Sequence, residues 1–324
     1  MVVMEIKDYT GFKEGNKFYG GNAGHKISII ENGVKWLLKF PKSTYNLENV
    51  DMSYTSAPLS EYIGSKIYEI LGHDVHETKL GIYDSKLVVA CKDFTTKNYD
   101  FFELHEVKNS YLGKNEAKRE YIMRKSKTSR DEVNLEELLF VLDNYEKLTK
   151  IPGIKERFWD MFVIDNFINN NDRHNGNWGI LSNESGMKLA PVYDNGAGFF
   201  SKHDTNKIKK ILSDEERFNQ IVENGRTPYI YDGKKIDSST VIKKLSFEKG
   251  ENIAENMDLK KAVLRNVPKI ELNRIFKLID EIPEKEKGIK VMSDLEKVFY
   301  KKFLKERYEK ILLPSYERIV NSKK

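Results

Sequence analysis

From His25 to Phe40 the chain runs through two β-rich stretches broken at Glu31-Asn32-Gly33, the pattern of two strands joined by a tight hairpin turn. A polar loop follows. From Leu59 to Gly72 the residues Tyr62, Ile63, Ile67, Ile70 and Leu71 fall on one helical stripe, which predicts a helix stopping at Gly72. Glu77–Asp84 and Lys86–Phe94 read as two further short strands. Beyond about Asn98 the pattern turns helical. Asn134, with Glu137 three positions on, opens a helix that should reach Leu148. Another starts at Pro152 and is apolar nearly all round from Phe158 to Ile168, which predicts burial on every side. Short strands at Trp178–Ser182 and Met187–Asp194 flank a turn, and Asn206–Glu223, Asn273–Ile282 and Lys290–Leu313 read as amphipathic helices. The expected class is α+β, with a β-rich N-terminal lobe over residues 1–95, a mostly helical C-terminal lobe over 96–324, and a cleft between them.

Composition changes this picture little. The 324 residues are 39% hydrophobic and 32% charged, enough apolar mass for a substantial core. Net charge is +5, from 55 basic against 50 acidic residues, and is spread along the chain. It supports a weak pull on phosphates rather than a nucleic-acid surface. The basic stretches Lys114–Arg130 and Tyr300–Lys310 alternate charge with helix-period apolar residues and read as solvated helix faces, the former alternatively as a mobile docking loop. Cys91 is the only cysteine, so no internal disulfide can form. No run reaches membrane-spanning length, and the first residues lack a cationic start followed by an apolar stretch. The expectation is a protein of the cytoplasm, or an effector exported without such a signal.

The candidate chemistry lies where the buried helix stops. Phe167 to Leu181 gathers five Asn, one Asp, one Arg and one His between two apolar runs. Phosphoryl transfer from ATP needs a carboxylate to align the acceptor, Mg2+ ions held on the phosphates, and cations on the phosphate oxygens. In protein kinases the carboxylate and one metal ligand share a loop, Asp then Asn five positions later, and a second metal ligand is an Asp after a nearby strand. Asp172 and Asn177 have that spacing, and Asp194 ends the next apolar strand, before Asn195-Gly196. Taken singly, Asn-rich helix ends and an Asp-Asn-Gly turn are common structural features. Their order and spacing favour chemistry. His174 then reads as a residue that organises the loop, bonded to backbone or to Asp194, rather than as a metal ligand. Arg173 either pairs with a carboxylate, shields the γ-phosphate, or is a solvated loop residue.

The front half would supply the nucleotide clamp. Lys39, on an apolar strand, can bind α- and β-phosphates, and Glu61, at the start of the next helix, is its expected partner. Each has an ordinary alternative, a lysine reaching solvent and a favourable helix-start charge. Gly20, Gly21, Asn22, Ala23 and Gly24 form a glycine-rich turn whose backbone N–H groups could approach anions, with Lys26 as a second cation. Val88–Phe94 fits a connector between lobes whose backbone, near Lys92 and Phe94, would bond the adenine edge, or is simply a core strand.

These residues resemble the HipA-like serine/threonine kinases, and within them the compact members. The resemblance extends over nearly the whole chain: the glycine loop, "LLKFPK", "MSYTSAPLSEYIGSKI", "KLVVACKDF", "FWDMFVIDNFINNNDRHNGNWGIL" and "LAPVYDNGAGF". Asp-x-His-x-x-Asn is that family's catalytic-loop form. The resemblance implies a two-lobed protein-kinase-like fold without an extra N-terminal subdomain, Asp172 as catalytic aspartate, Asn177 and Asp194 as magnesium ligands, and Lys39 on the phosphates of ATP. It implies a protein substrate with a Ser or Thr acceptor, and this chain itself as a further candidate substrate. The loop Gly20–Lys26 contains no Ser or Thr, so self-inactivation there is not expected; hydroxyls in "SYTSAPLS" or after Asp194 remain candidates. Two alternatives stand beside it. "DRHNGN" also resembles phosphoinositide kinases, which keeps a lipid acceptor in play, and a nucleotide-binding scaffold without turnover would carry the same groups. A metallophosphoesterase would need further His ligands in a pattern the other five histidines lack.

Overall fold

The computed structural model describes residues 4–15, 25–46, 52–95, 98–113, 133–245, 253 and 256–322. The glycine turn Gly20–Gly24 and the whole of Lys114–Arg130 lie outside the described residues. The chain divides into two compact units: residues 1–94, 195–222 and 270–307 form one, and 95–194, 223–269 and 308–324 the other.

The first unit is built on a five-stranded sheet. Its strands are β1 (Lys7–Asp8), β2 (Lys26–Glu31), β3 (Val34–Lys39), β4 (Thr78–Tyr83) and β5 (Lys86–Lys92), in the order β1-β4-β5-β3-β2. β1 pairs parallel with β4 and the other pairs are antiparallel. The turn between β2 and β3 places Asn32 and Gly33 at φ +49° and +77°, the left-handed geometry that matches a hairpin's twist. Successive side chains on a strand point to opposite faces. Trp36, Leu38 and Phe40 therefore join Tyr9, Ile29, Val88 and Ala90 in one buried cluster, while Lys39, paired with Val89, projects from the other face. Helix α1 (Ala57–Ile70) packs against β4 and β5. It carries Pro58 in its first turn, where a missing N–H costs nothing, and ends before Gly72 at φ +82°. The continuous helix expected over 206–223 is broken: Asp214 accepts from Arg217 N at 3.0 Å and starts a second helix after Thr205–Leu212. A side chain competing for the backbone outweighed the amphipathic period there. The expected helix over 290–313 begins at Asp294, fixed by a reciprocal Ser293–Glu296 cap, and runs to Arg307.

The second unit holds β6 (Asp100–Glu103), α2 (Leu104–Gly113), β7 (Val133–Asn134), α3 (Leu135–Asn144), α4 (Ile154–Ile168), β8 (Gly179–Asn183) and β9 (Gly186–Leu189). The Asn134 side chain accepts from Glu137 N at 2.8 Å, as the capping pattern predicts, a bond contributing about 1 kcal/mol. α3 stops at Asn144 rather than Leu148 because Tyr145 is extended. α4 buries twelve of its fifteen residues, the all-round burial its sequence predicts. A large apolar side chain so placed contributes about 1.5–3 kcal/mol. β8 and β9 form the expected hairpin, extended by β6 into a three-stranded sheet. The sequence pattern carried no expectation for a second hairpin, β10 (Arg226–Tyr231) and β11 (Lys234–Asp237), which pairs with β7.

Candidate active site

Helix α4 ends at Asn169, which takes a left-handed conformation at φ +57° that Asn tolerates better than most residues. The chain then turns through Asn170–Asn177 before entering β8. Arg173 governs this loop. It is 1% exposed, and its guanidinium meets the Asp165 carboxylate with Nε–Oδ2 at 2.8 Å and Nη2–Oδ1 at 3.1 Å. A planar fork on a carboxylate fixes direction as well as distance. Its remaining Nη1 donates to Asn177 O at 2.8 Å and to Tyr193 O. One side chain thus ties the Asn170–Asn177 loop to the residue before Asp194. Tyr193 returns the link, its hydroxyl donating to Gly176 O at 3.0 Å, and the Tyr229 hydroxyl donates to Arg173 O at 2.7 Å. Of the three alternatives for Arg173, carboxylate pairing is the one observed.

The site residues hang on that frame. The Asp172 carbonyl accepts from His174 N at 2.8 Å and from the Asn177 amide nitrogen, so Asn177 presents its side-chain oxygen as the atom for a cation. Asp172 itself is exposed. His174 Nδ1 accepts from Gly176 N at 3.0 Å, which requires the proton on Nε2 and makes His174 a brace of the loop backbone. Asp194 sits at φ +62°, a strained choice for a residue with a Cβ and one met where surrounding bonds over-determine the backbone.

In the first unit, Lys39 Nζ meets Glu61 Oε2 at 2.9 Å, the lysine side chain 14% and the glutamate 1% exposed. Burial alone would raise the Glu61 carboxyl, but the Lys39 ammonium, His76 and the Asn195 N–H hold it well below the ordinary carboxylate range. Gly196 comes close as well: a Cβ there would stand 3.2 Å from Glu61 Oε2. Lys26 lies across the hairpin, in register with Lys39. Lys92 ends β5 with its side chain on Glu77 at 2.9 Å and its N–H on Glu77 O at 2.8 Å, and the Asp93 N–H is bonded to Lys35 O at 3.0 Å. Those two amide hydrogens are already engaged within the sheet edge. Phe94 is half-buried at the end of this unit's first segment.

Residues 19–258 match the HipA-like C-terminal domain. The chain belongs to that family. It is 34% identical over 308 residues to the serine/threonine-protein kinase CtkA of Helicobacter pylori, covering 94% of this chain and 85% of that protein. The crystal structure of the Helicobacter pylori proinflammatory kinase CtkA superposes with a TM-score of 0.81 at 31% identity over 98% of both chains. The Shewanella oneidensis HipA structure, solved with HipB and operator DNA, covers 94% of this chain and 65% of its own at a TM-score of 0.50 and 14% identity, which speaks for the fold alone. The HipA-like fold, mixed α and β, is therefore the one the sequence predicted.

Two residues of this HipA-like site had no place in the sequence reading. Asp165 reads as one polar residue within a buried helix, and only its pairing with Arg173 reveals its task. Glu103, at the end of β6, is brought to the Asn170–Asn177 loop by its pairing with Gly179. Its Oε2 lies 3.0 Å from His105 Nδ1, and a Cβ on Gly176 would fall 3.1 Å from it. Burial raises its carboxyl, with Glu106 and Asp194 adding to the rise against His105 and His174. A glutamate placed by a strand pairing some seventy residues away leaves no local signal.

Proposed function

We propose that this chain transfers the γ-phosphate of Mg-ATP to Ser or Thr side chains of proteins. It is a serine/threonine protein kinase of the HipA-like type. What supports the detailed reading above all is the Arg173 clamp, which binds the loop carrying Asp172 and Asn177 to the residue before Asp194. Asp172 accepts a hydrogen bond from the acceptor hydroxyl, aligns it, and takes its proton as transfer proceeds. The exposed position of Asp172 suits a residue that meets an incoming protein. The Asn177 oxygen and the Asp194 carboxylate are hard oxygen donors of the kind Mg2+ takes, and they would hold it. When bound, the ion neutralises charge on the β- and γ-phosphate oxygens. Lys39, oriented by Glu61, places a cation on the α- and β-phosphates. Gly20–Gly24 would cover the phosphates, with Lys26 beside them, and the segment through Lys92 and Phe94 would meet the adenine. In this reading residues 1–95 clamp the nucleotide and 96–324 carry the catalytic loop.

Within Ser53–Ser60, self-phosphorylation on this reading falls to Ser53, and hydroxyls after Asp194, such as the exposed Ser213, stay candidates beside it. Among the hydroxyls of Ser53–Ser60, Ser53 is exposed, whereas Thr55 and Ser60 are buried and the Ser56 hydroxyl donates to Ser201 O at 3.3 Å. Incubation with labelled ATP and magnesium, wild type beside Asp172→Asn, tests the function. Label on Ser or Thr of added protein, absent with Asp172→Asn, is expected. Label appearing on an offered phosphoinositide instead would replace the protein acceptor with a lipid, and undiminished transfer by Asp172→Asn would remove the mechanism.

A further inference from the structure

The two oxygens of Glu61 face different partners. Oε2 accepts from Lys39, while Oε1 accepts from His76 Nε2 at 2.9 Å and from Asn195 N at 3.1 Å. A carboxylate offers only acceptors, so the His76 proton sits on Nε2. The same nitrogen is 3.1 Å from Ser65 Oγ, one turn along α1, and Ser65 Oγ accepts from Asn195 Nδ2 at 3.0 Å. Glu61, His76, Ser65 and Asn195 close a ring of hydrogen bonds, and none of the four is more than 5% exposed. Buried polar rings of this kind are rigid when every member is satisfied and costly when one is removed. The Cys91 sulfur lies within 4.8 Å of the His76 and Glu61 ligand atoms, a trio able to ligate a soft cation. A cation there would share the Glu61 carboxylate with the Lys39 ammonium, which already pairs with it, so the hydrogen-bonded ring is the better account.

We propose that His76 is a positioning residue for phosphoryl transfer: its Nε2–H pins Glu61 Oε1 so that Oε2 stays aimed at the Lys39 ammonium. Through Ser65 and Asn195 the same ring fixes the residue that follows Asp194. The inference rests on the roles given to Lys39 and Glu61 above. His76 touches no phosphate, so its removal acts through Glu61 and is felt most in nucleotide affinity.

The test measures MgATP affinity by calorimetry and turnover with labelled ATP for His76→Leu, which keeps bulk but loses the donor, and His76→Gln, which keeps an N–H donor. His76→Leu should weaken MgATP binding by about tenfold and lower kcat by about threefold, and His76→Gln should recover most of both. In a Glu61→Gln background, His76→Leu should change neither by more than about twofold, since the group it orients is gone. Wild-type-like affinity for His76→Leu, or an equal loss in both backgrounds, overturns the proposal. Should His76→Leu not fold, Ser65→Ala opens the same ring, and a loss of about threefold in affinity is expected where no change would overturn it. The affinity arm decides the matter even if no transfer is seen. Absence of transfer by the wild type would fall on the proposed function, not on this ring.

Discussion

Each unit of the chain buries an ion pair, and the two pairs do different work. Arg173 and Asp165 are 1% and 6% exposed, and the guanidinium bonds that carboxylate and the backbone carbonyls of Asn177 and Tyr193. Its charge is spent on holding the chain in place. Glu61 is as deeply buried, but its lysine is 14% exposed. On the proposed function, that ammonium is the cation that meets the phosphates. The first pair fixes Tyr193, the residue before Asp194, and the second fixes Asn195, the residue after it. The unusual backbone at Asp194 is thereby held from both neighbours, which is how a strained conformation persists.

If the contrast is right, the two pairs should fail differently. Arg173→Met takes the guanidinium from the buried Asp165 carboxylate, which keeps the Asn170 amide at 3.0 Å, and should cost about 3 kcal/mol of stability, read by denaturant unfolding. Adding Asp165→Leu should restore much of that stability. Activity should stay low, because the bonds to Asn177 O and Tyr193 O are still missing; recovery of both together would show that the clamp has no catalytic consequence. Glu61→Gln sits at the other pole. It keeps the shape and loses the charge that orients Lys39, so turnover should fall by about a hundredfold while the fold survives. A loss of the fold with it would make the second pair as structural as the first.

The smallest effect concerns a half-buried histidine outside both pairs. Burial lowers the His203 imidazole to about 4, with Lys207 contributing, and the ring stacks on Phe200 at 5.1 Å. A histidine whose folded value is depressed is neutral in the native state. Its contribution is therefore complete above its unfolded value near pH 6.5 and declines as pH falls from there toward 4. The wild type should lose about 1 kcal/mol relative to His203→Leu by about pH 5.5, measured as the difference between their unfolding curves. Parallel curves would mean the ring is solvated.

Local chemistry was legible in the sequence at several points that decide the structure. Asn32-Gly33 set the first hairpin, Asn134 and Glu137 the start of α3, and the spacing of Asp172, Asn177 and Asp194 singled out the loops that Arg173 joins. What could not be read depends on partners far apart in sequence. Asp165, His76 and Glu103 are ordinary polar residues until the fold supplies Arg173, Glu61 and the catalytic loop. The β10–β11 hairpin is a different omission. Asp232-Gly233, at φ +49° and +69°, is as good a turn signal as the first, but the segment between the amphipathic helices was assigned no element of its own.

The central claim is a division of labour, with Asp172 acting on the acceptor and Asp194 on the metal-bound nucleotide. Calorimetric titration of ATP, with and without magnesium, into the wild type, Asp172→Asn and Asp194→Asn tests it most directly. The account predicts that Asp172→Asn keeps the full magnesium-dependent gain in ATP affinity while Asp194→Asn loses it. An equal loss in both variants, or a gain that survives Asp194→Asn, would contradict it.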